Sequence, residues 1–80
     1  MNPNTIKQLI ESSLEDTTAI IEGDDGHHFT ATIVSPRFSG KNRVQKQQLV
    51  YATLKEHIDN GSLHAISFKT FTPEEWQSHG

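Results

Sequence analysis

Two β-branched runs, Ala19-Ile20-Ile21-Glu22 and His28-Phe29-Thr30-Ala31-Thr32-Ile33-Val34-Ser35, flank the turn-forming segment Gly23-Asp24-Asp25-Gly26-His27. Strand-like runs joined by such a segment predict a hairpin. In the second run Phe29, Ala31 and Ile33 alternate with His28, Thr30, Thr32 and Val34, so one face should be buried and the other mostly polar. His28 then points away from Phe29, beside the loop.

The rest of the chain supplies the cover for that buried face. Ile6, Leu9, Ile10 and Leu14 recur at helical spacing and predict a helix from about Asn4 to Leu14, with Asn2 or Asn4 and Pro3 marking its start. Pro36 ends the second strand, and Phe38 is expected to anchor the connector 37–42 to the core. Val44, Gln47, Tyr51, Leu54 and Ile58, widened by Val50, mark the inward stripe of a second helix from about Arg43 to Asp59. Asn60-Gly61 stops it. Leu63 to Phe71 reads as a third strand. Thr72-Pro73-Glu74-Glu75 then has the pattern of a capping box, with Trp76 placed to fold a short last helix back onto the sheet. The order is α-β-β-α-β-α with no repeat or linker, which predicts one α+β domain over residues 1–80 in two layers. A long helix between the second and third strands permits parallel pairing, so the three-stranded sheet should be mixed.

Composition narrows the function. Eighty residues hold one modest core, burying roughly 60% of the unfolded surface, and leave little room for a large catalytic cleft. There is no cysteine, which excludes disulfides, thiolate zinc knuckles and a self-sufficient iron-sulfur site. No apolar run approaches the ~18 residues of a membrane span, and the start does not resemble a secretory signal. The expected location is cytoplasmic, with no membrane contact. The formal charge is -3, but Arg37, Lys41, Arg43 and Lys46 form a ten-residue window without an acid. That window leads into a helix N-terminus and reads either as a solvated face or as a phosphate-contacting surface.

Histidines are the main candidates for chemistry. His64, in Leu63-His64-Ala65-Ile66, lies at the mouth of the third strand, where an imidazole either bonds a backbone carbonyl or presents a metal ligand. His27 and His28 sit in and beside the hairpin loop, where loops on a rigid scaffold present ligands well. Their spacing matches no zinc signature and no helical His-x-x-x-His. His57 and His79 read as bystanders. Glu22, Asp24 and Asp25 lie in or beside an exposed turn, and Ser35, Ser39, Ser62 and Ser67 lack a nucleophile elbow. No phosphate-binding glycine loop is present, and Gly40-Lys41-Asn42-Arg43 is not the Gly-x-x-Gly clamp of KH domains. The chain does not read as an enzyme.

The ordered segments Ile33-Val34-Ser35-Pro36-Arg37-Phe38-Ser39-Gly40-Lys41, Val44 to Tyr51, Leu63 to Lys69 and Thr72-Pro73-Glu74-Glu75-Trp76 together resemble the BolA-like proteins across nearly the whole length. The resemblance implies a KH-like domain that pairs with a monothiol glutaredoxin carrying a CGFS active site. In such a pair a 2Fe-2S cluster is shared: thiolates come from glutaredoxin and glutathione, and the BolA-like chain supplies a strand-mouth histidine and a loop ligand. Carried over, the strand-mouth histidine is His64 and the loop ligand is His28 or its neighbour His27. No cofactor is expected in the isolated chain, which should be a monomer or a weak homodimer. Lys46-Gln47-Gln48 stands where Arg-His-Arg is commoner in the family, and is similar to the acid-stress-associated bacterial branch. The resemblance also implies an alternative function, transcriptional regulation by DNA binding through Arg37, Lys41, Arg43 and Lys46. Four clustered bases on an acidic chain would support only weak binding.

Overall fold

A computed structural model describes residues 2–23, 28–61, 63 and 65–79. The elements follow the expected order: α1 (Pro3–Ser13), β1 (Thr18–Glu22), β2 (His28–Val34), a 3-10 turn (Pro36–Phe38), α2 (Arg43–Asp59), β3 (Ala65–Phe71) and α3 (Pro73–His79). α1 begins one residue earlier than the apolar spacing predicts, because Asn2 is the cap: its side-chain oxygen accepts the Thr5 N-H at 2.9 Å, and Pro3 occupies the first turn, where its missing N-H costs nothing. Leu14 has left the helix but remains in the core.

The sheet order is β1-β2-β3. β1 and β2 pair antiparallel from Thr18 opposite Val34 to Glu22 opposite Thr30. β2 and β3 run parallel from His28 opposite Ala65 to Val34 opposite Phe71. The α2 crossover makes this mixed sheet possible, since parallel neighbours need a long connection. Ile6, Ile10 and Leu14 from the α1 region, Val50 and Leu54 from α2, and Ala19, Phe29, Ala31 and Ile33 from the sheet form one buried cluster with Phe38 and Leu63. Both long helices therefore cover the same sheet face, giving two layers.

Two expectations about burial need correction. The inward stripe of α2 is centred on Val50 and Leu54, whereas Val44 is 63% and Tyr51 39% exposed. The half-buried positions beside that stripe include Lys46, Thr53 and His57 as well as the expected Gln47 and Ile58, and Lys46 lays its apolar stem along a face where the pattern predicts no charge. On the polar face of β2, Thr32 is only 8% exposed, because the longer Ile20 and Lys69 flank it in register on either side. Among the aromatic residues, Phe29 and Phe38 are buried, while Phe68, Phe71 and Trp76 are half-buried.

Each edge strand has outward backbone groups met by a helix side chain. On β1, Ala19 donates its N-H to Glu11 Oε2 at 2.9 Å, and its carbonyl accepts from Lys7 Nζ at 2.7 Å. Lys7 and Glu11 also pair with each other at 2.7 Å. On β3, the Phe68 carbonyl accepts from Gln47 Nε2 at 3.2 Å. The hydrogen bond from Lys7, reinforced by the Ala19 N-H, holds the Glu11 carboxyl below its ordinary value of 4.5. A lowered folded value means that the stability contributed by Glu11 is present above that pH and is lost as the pH falls below it. In urea melts, wild type should exceed Glu11→Gln near neutral pH by on the order of 1 kcal/mol, as expected for a partly exposed charge-assisted pair. The gap should close between pH 5 and the acid limit, and a constant gap would overturn the assignment.

Candidate functional site

The mouth of the sheet is set by the β2–β3 register. His28 is the first residue of β2, exposed, and opposite Ala65. Ala65 directly follows His64 in the chain. His64 and His27 themselves lie outside the described residues. Among the described residues no three His, Cys, Asp or Glu side chains gather as a metal site. His57 is half-buried on α2, and its backbone carbonyl accepts the Leu63 N-H at 3.0 Å. That bond leads the chain from the end of α2 toward β3, after Gly61 has turned it with φ 83.

The basic window divides into two pairs. Arg37 Nη2 lies 3.2 Å from Glu15 Oε2, a largely exposed contact. Lys46, whose side chain is only 16% exposed, has its Nζ 3.7 Å from Glu75 Oε1. Lys41 and Arg43 are exposed, on either side of Asn42, the cap of α2. There Asn42 Oδ1 accepts the Gln45 N-H at 2.8 Å, and Gln45 Oε1 accepts the Asn42 N-H at 3.0 Å. This second capping box pins the N-terminus of α2 and was legible as Asn followed three residues later by Gln. The segment Lys46-Gln47-Gln48 is used partly inward: Lys46 reaches α3 and Gln47 reaches β3.

α3 is fixed more firmly than a short C-terminal helix requires. Thr72 Oγ1 accepts the Glu75 N-H at 3.2 Å, and Glu75 Oε1 accepts the Thr72 N-H at 2.8 Å. These bonds, with Lys46 beside it, hold the Glu75 carboxyl below its usual range. Trp76 meets Phe71 with ring centroids 5.2 Å apart, and His79 stacks on Trp76 at 5.5 Å and contacts Phe71 at 4.9 Å. His79 is thus part of a three-ring clasp. The three-residue spacing of Trp76 and His79 on one helix face carried that signal.

A family model described as BolA-like protein matches residues 1–75. The chain is 40% identical over 76 residues to the acid stress protein IbaG of Escherichia coli K12, covering 95% of this chain and 89% of that protein. Over 51 residues it is 43% identical to the DNA-binding transcriptional regulator BolA of Haemophilus influenzae, covering 64% of this chain and 48% of that one. The solved structure of a bolA protein homologue from Coxiella burnetii matches with a TM-score of 0.86 at 40% identity, over 96% of this chain and 97% of that one. Among the described residues no helix is long and apolar enough to cross a membrane. Matched by the family model over residues 1–75 and by relatives 40% identical along nearly the whole chain, the chain belongs to the BolA-like family.

Proposed function

We propose that this chain is an iron-sulfur trafficking or regulatory adaptor that binds a monothiol CGFS glutaredoxin and supplies histidine ligands to a 2Fe-2S cluster, the cargo of the pair. The observation that carries this reading is the register of the sheet: His28 stands exposed opposite Ala65, the residue next to His64. His28 and Ala65, which follows His64 in the chain, thereby share one end of two neighbouring strands. A cysteine-free chain can complete a cluster in this way while the thiolates come from glutaredoxin and glutathione. Imidazole ligation raises the cluster potential relative to all-thiolate ligation and requires the neutral ring. Adding the protein to cluster-loaded glutaredoxin should therefore change the visible absorption and circular dichroism. Unchanged spectra would sink the proposal.

A second reading, DNA-binding regulation, is favoured by the exposed Lys41 and Arg43 at the start of α2 and by the name of the Haemophilus relative. Arg37 and Lys46 support it less, because each faces a carboxylate. Counterion release makes such binding steeply salt-dependent, with a slope in log affinity against log salt of about 0.9 per phosphate neutralised. Lys41→Glu and Arg43→Glu should each weaken retardation in a gel-shift titration and lower that slope, while His64→Ala leaves it unaltered. Absence of any retardation at physiological salt would remove this reading.

A further inference from the structure

We propose that Gly23 is a positioning residue for the hairpin ligand: the missing side chain at the end of β1 lets the His28 carbonyl and the Phe29 ring close over it, and this contact sets where His28 stands. The inference deepens the ligation reading above and rests on it.

Glu22 is opposite Thr30, so Gly23 follows at the point where β2 begins. A methyl group on Gly23 would lie 2.6 Å from the His28 carbonyl oxygen, 2.7 Å from Phe29 Cδ1 and 3.2 Å from Phe29 Cε1. Carbon atoms do not approach that closely, and neither neighbour can yield cheaply. The oxygen belongs to the backbone, so no change of rotamer removes it. The ring belongs to the core and is only 4% exposed.

The requirement at Gly23 is therefore space. Gly40 is the contrast, with φ +78 and nothing within 4 Å of an added Cβ; it is needed for its backbone conformation. Any side chain at position 23 must displace the first residue of β2. Because His28 is opposite Ala65, that displacement alters its register against the start of β3. Ligand sites tolerate little such error.

The test compares wild type, Gly23→Ala, His28→Ala and Ile10→Val, a core variant in α1. In the isolated chain, Gly23→Ala should shift the backbone amide resonances of His28 and Phe29 and the ring resonances of His28. With cluster-loaded monothiol glutaredoxin it should weaken the complex by about tenfold, like His28→Ala, the size of effect seen when a ligand's support is removed. Ile10→Val should keep the wild-type visible circular dichroism, which separates positioning from loss of stability. Should Gly23→Ala fail to fold, Gly23→Ala with Phe29→Leu takes the ring from beneath the added methyl and carries the same comparison.

Unmoved His28 resonances, a wild-type complex with Gly23→Ala, or an equal loss with Ile10→Val would each overturn the inference. If wild type itself leaves the glutaredoxin spectrum unchanged, the ligation reading falls. The positioning claim is then decided by the His28 resonances alone.

Discussion

His64→Ala is expected to abolish the spectral change that wild type produces in cluster-loaded monothiol glutaredoxin, weakening the cluster complex by on the order of a hundredfold or more. Losing support behind a metal ligand typically costs 10–100-fold, and losing the ligand itself should cost at least the upper end of that range. His28→Ala should follow at about tenfold, with His27, its neighbour in the chain, as the expected substitute. His27→Ala should have the smallest effect. Because a protonated imidazole cannot bind metal, the wild-type complex should weaken as acid protonates the ring, and His64→Ala should lose that dependence. An unchanged complex with His64→Ala would overturn the ligand assignment. Secondary structure by far-ultraviolet circular dichroism should be unaltered in all three variants, since the readout is ligation and not folding.

Phe38→Ala is the second large expectation, on stability. Phe38 is completely buried although it lies in a connector, held between Ser35, whose carbonyl accepts its N-H at 3.3 Å, and Lys41, which donates to its carbonyl at 3.1 Å. Truncating a buried phenylalanine costs about 3–5 kcal/mol. The whole stability expected for 80 residues is roughly 4–12 kcal/mol. Thermal melts followed by Trp76 fluorescence should fall by at least ~12 °C, with the least stable outcome being no folded protein at room temperature. Val44→Ala, at a site 63% exposed, should stay within about 0.5 kcal/mol of wild type. Similar melts for the two variants would show that the connector is not anchored through this ring.

Where local chemistry decides the structure, the sequence was readable. The approximate bounds expected for α2 hold, because the Asn60-Gly61 stop is local, and the Thr72 to Glu75 capping box forms as its pattern implies. The hairpin and the mixed sheet follow from strand patterning and connection length. The inward face of α2 was misread because its apolar residues do not form one clean stripe. Tyr51 turns outward to donate to Asp59 at 3.2 Å, alongside the Lys55–Asp59 pair at 2.6 Å, while Lys46 turns inward to Glu75 and Gln47, inward as its place on the stripe predicts, reaches Phe68. Nothing within a few residues announces such partners. For the candidate site, position was legible and geometry was not. Only the register could reveal that His28 is opposite Ala65, and only the fold could show the close approach at Gly23.

The side chains that meet the sheet edges also bear on how this protein keeps company. A neighbouring polypeptide seeking to lengthen the sheet would have to dislodge the Lys7–Glu11 pair to reach Ala19, and Gln47 to reach the Phe68 carbonyl. Exposed strand edges are templates for polymerisation, and proteins that leave them open risk fibre growth. This small sheet is self-limiting at those points. Association by strand addition is disfavoured there, for a second copy and for a partner alike.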